Sequence, residues 1–177
     1  MNIIVSVDNN WGIGFKNDLL YDLKKDIDFF QQKTANKIVV MGSNTLVSLK
    51  KNAPLKNRIN VCLTKDTSFS KKGIVTVNSL QELFEILSFY DSQNIFVIGG
   101  EQVYKQLLPY CNKAYITKIK AEKQADRFFE NLDLNENWVL EKTSNPCFED
   151  NTVFYFCEYV NKNPQKFNYG YEKPDLF

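Results

Sequence analysis

The sequence predicts an α/β fold with a largely parallel central sheet and an antiparallel C-terminal edge. Three observations lead there. Short apolar runs alternate with amphipathic stretches over the first two-thirds, glycines stand where a run meets a stretch, and the last third keeps its strands but loses its helices.

In chain order, Ile3-Ile4-Val5-Ser6-Val7 is apolar but for Ser6, as a strand buried on both faces is. Asp8 to Tyr21 is long for a connection and holds Trp11, Gly12, Gly14 and Phe15. Such a segment is either a mobile lid or a surface loop with one packed aromatic. From Asp22 to Lys33 the apolar residues Leu23, Ile27 and Phe30 fall at helical spacing, with Asp22 as the expected N-cap. Ile38–Met41 is a second strand and Ile59–Leu63 a third; Leu80–Phe89 is a helix with Ser79 and Glu82 at capping-box spacing. Ile95–Ile98 is a fourth strand, followed by Gly99-Gly100 and a helix from Glu101 to Leu108 that Pro109 closes. Ala114–Ile119 alternates, and Thr152–Tyr159 is dense in Val, Phe and Tyr with nothing helical back to Trp138, so a late hairpin is expected. The chain divides into one domain, residues 1–160, and a tail, 161–177, whose aromatics could dock it.

Composition narrows the function. A hydrophobic fraction of 44% with 24% charge is that of a globular protein, and the net charge of +1 draws it to neither nucleic acid nor an anionic membrane. No apolar run approaches the roughly 20 residues of a membrane span. Met1-Asn2-Ile3-Ile4-Val5 lacks the basic, then long apolar, signature of a secretory signal, so a cytoplasmic location is expected. Cys62, Cys111, Cys147 and Cys157 are scattered, as reduced, packed cysteines of a cytosolic protein are. With no histidine in the chain, Ser-His and Cys-His catalysis are excluded and no metal site is expected. An acid–base group must then be a carboxylate, lysine, tyrosine or thiol.

Asp26 is the first chemical feature. It lies on or beside the apolar stripe of its helix, where a carboxylate is either a phase error, a salt-bridged structural group or a functional acid. Ile98-Gly99-Gly100 is the second: glycines between strand and helix let backbone approach a ligand, and a helix N-terminus favours phosphate, although an ordinary tight turn reads the same way. Met41-Gly42-Ser43-Asn44-Thr45 is a second such junction. Two at one end of a parallel sheet argue for a nucleotide-binding edge, even though the full dinucleotide glycine fingerprint is absent.

In this order the segments resemble the dihydrofolate reductase family. The pieces are Gly12-Ile13-Gly14, Asn17-x-x-x-Tyr21-x-Leu23, Asp26-Ile27-x-x-Phe30, Val40-Met41-Gly42-x-x-Thr45, Leu55-x-x-Arg58-Ile59-Asn60 and Ile98-Gly99-Gly100-x-x-Val103-Tyr104, with Pro109, Thr117 and Asp126 further on. The likeness runs from about Ile3 to Tyr159. It implies a mostly parallel sheet of about eight strands with an antiparallel C-terminal edge strand and about four helices. It implies reduction of 7,8-dihydrofolate to tetrahydrofolate with NADPH, in one-carbon metabolism, by an enzyme that antifolates block. Asp26 would bind the pterin and govern protonation at N5, backed by Thr117. Arg58 would grip the substrate's α-carboxylate. Phe30, Leu49 and Leu55 would line the aminobenzoyl slot, and Ile4, Val5, Ile27 and Ile98 the pterin. Ser6, Ile13, Gly14, Gly42, Ser43, Thr45, Gly99, Gly100, Val103 and Tyr104 would lie along the cofactor.

The sequence departs from the family pattern at three places. A Pro-Trp pair is here Leu20-Tyr21, so Tyr21 would order the water beside the pterin with its hydroxyl. The basic residues that commonly bind the cofactor's 2′-phosphate in that family are replaced here by Ser43 and Gln102, leaving Thr64 and Lys65 as candidates. A monomer without nucleic-acid or membrane partners is expected. Two other readings stay open: a reductase of the same fold acting on a riboflavin-pathway heterocycle, and a non-enzymatic nucleotide-binding scaffold that uses its aromatic tail. Loss of Asp26 or Arg58 would favour either; both are present.

Overall fold

A computed structural model describes residues 1–49 and 53–167 of the chain. Six strands run parallel: β1 (Asn2–Val7), β4 (Ile38–Gly42), β5 (Ile59–Leu63), β6 (Ile74–Val77), β7 (Ile95–Gly99) and β8 (Lys113–Ile119). The late hairpin supplies β10 (Trp138–Thr143), β11 (Cys147–Glu149) and β12 (Thr152–Asn161), with β12 antiparallel to β8. Across the sheet the order is β10-β12-β8-β1-β7-β4-β5-β6, and β11 pairs with β12 off that path. The expected sheet and its antiparallel edge are therefore present, with α1 (Lys24–Thr34), α2 (Ser43–Ser48), α3 (Leu80–Leu87) and α4 (Glu101–Leu107) on its faces.

Alternation along the strands sorts side chains into two cores. Ile3, Val7, Val40, Val61, Val97 and Ile116 pack with Leu83 and Leu87 of α3 and Val103 and Leu107 of α4. Ile4, Val39, Met41, Cys62, Phe96 and Ile98 pack with Leu46 of α2, and Phe29 and Phe30 of α1 lie against them. Burial on both faces is why these strands read as continuous apolar runs. Truncating Leu46 or Leu83, both wholly buried, to alanine would cost about 2–5 kcal/mol.

Several boundaries differ from the sequence reading. Asp22 is not the N-cap of α1; Leu23 holds that place and offers no side-chain acceptor. Ser79 does cap α3, accepting from the Glu82 N–H at 3.1 Å, while the Glu82 carboxylate accepts from Asn78 N–H at 2.7 Å. That helix stops at Leu87, two residues early, and Phe89 stands in solvent. Pro109 sits inside a 3-10 turn, Leu108–Tyr110, that prolongs α4.

The segment from Asp8 to Tyr21 is not an irregular loop. It contains β2 (Gly12–Phe15) and β3 (Asp18–Leu19), which form a small sheet with β9 (Arg127–Phe128). Asp8 starts it, accepting from Gly12 N–H at 2.8 Å and Asn10 N–H at 2.9 Å, and Trp11 stacks on Phe129. Past β12, Phe167 stacks on Phe84 with centroids 4.1 Å apart, so the chain does dock by an aromatic. The remainder of the expected tail, 168–177, lies outside the described residues.

Candidate active site

β1 and β7 pair at Asn2–Phe96 and Ile3–Val97 and part beyond that point. The Ile4 carbonyl instead accepts from the Tyr104 hydroxyl at 2.9 Å. The cleft opens where parallel strands separate at their carboxyl ends, the usual place for a ligand in an open α/β sheet.

Asp26 faces this cleft from the first turn of α1. Ser6 and Thr117 are cross-strand neighbours on β1 and β8, and their hydroxyls both bond the Asp26 carboxyl. Burial raises its pKa above the ordinary carboxylate value; the two hydroxyl bonds pull it back, and the Glu149 charge pushes it up again. A half-buried carboxyl with no ion pair among the described residues, backed by two neutral donors and with its proton affinity raised, is suited to handing a proton on. Thr117 thus meets Asp26, as the resemblance implies. Ser6, expected beside the cofactor, also bonds the Asp26 carboxyl.

The apolar side chains expected around the substrate are largely contiguous. Ile4, Ile98, Phe30, Leu49 and Leu55 belong to one cluster. Val5 differs: its side chain packs into the opposite core, because neighbours on a strand point to opposite faces. At the far end of the slot Arg58 is fixed by Nε donating to Thr34 Oγ1 at 2.9 Å and Nη1 to the Lys56 carbonyl at 3.0 Å. Its guanidinium lies 5.8 Å from the Phe30 ring centre, and burial lowers its pKa without neutralising it.

The other wall is built from backbone. Gly42 ends β4, Gly99 ends β7, and Met41 and Gly99 are register partners. Each glycine marks a close approach. A Cβ at Gly42 would lie 3.1 Å from Val103 Cγ2, one at Gly100 would lie 3.1 Å from Thr45 Oγ1, and one at Gly99 would lie 3.1 Å from Tyr104 Cε2. Gly99 also has a φ of +115°, which L side chains rarely adopt. The peptide joining Gly99 to Gly100 is cis. Ser43 and Thr45 open α2 beside this cradle, and Thr64 and Lys65 follow β5 along the same edge. A cavity of about 280 Å³ lies between the Lys16–Asp18 turn and Asn44, Val47 and Ser48 of α2. Ile13 and Gly14 lie on β2, and Gly14 is tied to Asp126 through the Asp126 N–H, 3.0 Å from the Gly14 carbonyl.

Against this geometry the dihydrofolate reductase family profile matches residues 1–161. The chain belongs to the dihydrofolate reductase family. It is 33% identical over 168 residues to the dihydrofolate reductase of Bacillus subtilis, covering 94% of this chain and 97% of that one. It is 34% identical over 138 residues to that of Buchnera aphidicola, covering 78% and 83%. A dihydrofolate reductase of Enterococcus faecalis, solved with NADP(H) and RAB-propyl, superposes with a TM-score of 0.82 at 27% identity, covering 92% of this chain and 96% of that one.

Three residues of this dihydrofolate reductase site, Thr34, Lys123 and Glu149, escaped the sequence reading, and Asn60 was read only as part of a motif, without its role. Thr34 positions Arg58. Asn60, buried within β5, accepts from Leu55 N–H and donates to the Leu55 and Arg58 carbonyls, clamping the turn that carries Arg58. A polar residue inside an apolar strand was a visible signal for Asn60. Lys123 donates to the Leu20 carbonyl at 2.6 Å and covers the Tyr21 ring at 4.3 Å. Glu149 reaches α1 from the far end of the chain. Tyr21 itself has a buried hydroxyl with no hydrogen-bond partner among the described residues. Burial, and the charges of Asp8 and Glu122, raise the pKa of that hydroxyl, so it stays a neutral donor.

Proposed function

We infer that the chain reduces 7,8-dihydrofolate to 5,6,7,8-tetrahydrofolate with NADPH, as its family does. The observation that carries the reading is Asp26, a half-buried carboxyl held by two hydroxyls at the mouth of the parted strands. Its two oxygens would accept from the planar N–C–N edge of the pterin. Its raised proton affinity would keep a proton available for N5, so turnover falls as pH rises through the Asp26 pKa. Thr117 and Ser6 fix the carboxyl rotamer. Tyr21, whose hydroxyl lacks a protein partner, would hold a water beside the pterin. Ile4, Ile27, Phe30, Leu49, Leu55 and Ile98 would exclude bulk water, and Arg58 would take the substrate's α-carboxylate as a fork.

The glycine edge would take the dinucleotide, with Gly42, Gly99 and Gly100 packed closely on Val103, Tyr104 and Thr45. When bound there, NADPH supplies the hydride that reduces the pterin. Gly42, Ser43, Thr45, Gly99 and Gly100 would present backbone and hydroxyl donors to its phosphates, with Ile13, Gly14 and Tyr104 bordering the nicotinamide end. Lys65, exposed just past β5, would pair with the 2′-phosphate. Val103 would act only as the floor under Gly42.

Antifolates that mimic the pterin edge would compete at Asp26. No helix of the described residues is long and apolar enough to cross a membrane; a cytoplasmic monomer is proposed, its site complete within residues 1–160. Purified protein should oxidise NADPH only when dihydrofolate is added, and absence of turnover would refute the reading. Lys65→Ala should raise the KM for NADPH several-fold and leave that for NADH unchanged.

A further inference from the structure

Helix α1 is capped from the other end of the chain. Leu23 at its N-cap has no polar side-chain atom, so the first N–H groups need an acceptor from elsewhere. Glu149 supplies it: its two carboxylate oxygens accept from Lys24 N–H at 2.5 Å and Lys25 N–H at 3.0 Å. Lys25 Nζ adds a bond to the Phe148 carbonyl at 3.0 Å. Glu149 is the last residue of β11 and pairs with Thr152 across Asp150 and Asn151, both left-handed with φ of 46° and 60°. A two-residue turn of that hand fixes hairpin register, and so fixes where the Glu149 carboxylate emerges.

The same hairpin reaches the site by a second route. β12 pairs with β8 through Phe156 and Thr117, and Thr117 bonds the Asp26 carboxyl. Asp26 is therefore gripped twice: its side chain by β8 and β1, its helical turn by β11.

We propose that Glu149 is a positioning residue for Asp26, holding the first turn of α1 in register and keeping a carboxylate at the N-terminus of the helix that carries it. The proposal rests on the reading of Asp26 as the proton-handling group. The groups facing Asp26 are the Ser6 hydroxyl from β1, the Thr117 hydroxyl from β8, the Tyr104 phenol from α4 and Glu149 from β11, with Lys24 and Lys25 adjacent on its own helix. The phenol is neutral, since burial pushes its pKa far up. The backbone N–H groups of Lys25 and Lys24 hold the Glu149 carboxyl below the usual range, and the two lysine charges add a smaller pull in the same direction. Glu149 thus stays ionised, and its field makes Asp26 hold its proton more tightly.

Steady-state pH profiles of wild type, Glu149→Gln, Glu149→Ala and Asp26→Asn test this, with carboxyl-carbon NMR titration of Asp26 as a readout free of turnover. Glu149→Gln keeps an oxygen acceptor but loses the charge. Its alkaline limb should move to lower pH, leaving kcat/KM roughly two- to fivefold below wild type there and near wild type in acid, with an unchanged KM for NADPH. Glu149→Ala should show the same displacement plus a lower kcat at every pH, because the cap is gone too. Profiles that superimpose on wild type, or that fall uniformly without displacement in both variants, overturn the proposal. If Asp26→Asn is inactive at neutral pH while both Glu149 variants superimpose, this proposal alone fails. If Asp26→Asn matches wild type, the reading of Asp26 fails and the proposal with it.

Discussion

The two walls of the cleft are made of different material. The wall at Gly42, Gly99 and Gly100 is backbone, shaped by side chains that are missing; the wall at Asp26 is side chain, held by donors from β1 and β8 and by a cap from β11. The first belongs to the parallel half of the sheet, where each glycine closes a strand and the helix starts within a residue or two. The second draws on β8 and the antiparallel hairpin, so its parts come from residues 6, 26, 117 and 149. A backbone wall tolerates little added volume but carries no titrating group of its own. A side-chain wall can be altered atom by atom and answers to pH.

Substitutions on each side sharpen that contrast. The largest effect is expected from Asp26→Asn, which should lower kcat/KM about 10²- to 10⁴-fold at neutral pH and recover partly in acid, where the substrate arrives protonated. An unchanged rate would break the side-chain half of the comparison. The same variant should be the more stable protein at high pH. The folded-state pKa of Asp26 is raised, so the stability its neutral form contributes is present below the ordinary carboxylate range and is lost as pH rises through the folded value. Asparagine escapes that loss, and thermal melts should show a gain of a few degrees at pH 8 and little at pH 4.

Gly99→Ala should come next. The φ of +115° and the Tyr104 ring 3.1 Å from the new Cβ should together cost about 1–3 kcal/mol and raise the KM for NADPH more than that for dihydrofolate. Equal rises would show that this wall is not specific to the cofactor. Arg58→Lys should have the smallest effect, raising the KM for dihydrofolate by roughly tenfold with kcat nearly unchanged, because a point charge replaces a fork. A fall in kcat instead would mean that the arginine acts on the chemistry and not on anchoring.

How far the sequence could be read follows the same division. Strand ends marked by Gly42 and Gly99 were legible because glycine is itself the signal. The continuous apolar runs revealed a parallel sheet because strands buried on both faces lose their alternation. Asp26 was legible as an acid on an apolar stripe, but its partners were not. Ser6 read as the one polar residue of an apolar strand and as a neighbour of the cofactor, and the register with Thr117 brings both hydroxyls to one carboxyl. Asp22 was the natural cap by spacing, yet Glu149, more than 120 residues on, takes the N–H groups; no local pattern carries that information. The small sheet within residues 8–21 was hidden for the same reason, since β2 needs β9 to become a strand. Val5 was misplaced by treating a strand as one surface when its neighbours face opposite cores.

The lack of histidine has a use in calorimetry. No imidazole titrates in this chain; burial raises the Cys62, Cys111 and Cys157 thiols further above their ordinary values and lowers the Met1 amino group below its own. Met1 precedes β1 and Ser6 lies near its other end, so a ligand at Asp26 leaves the amino group untouched. The heat of inhibitor binding, measured in buffers of different ionisation enthalpy, would then count the protons exchanged at Asp26 and the inhibitor with no imidazole contribution, which histidine-bearing proteins rarely permit.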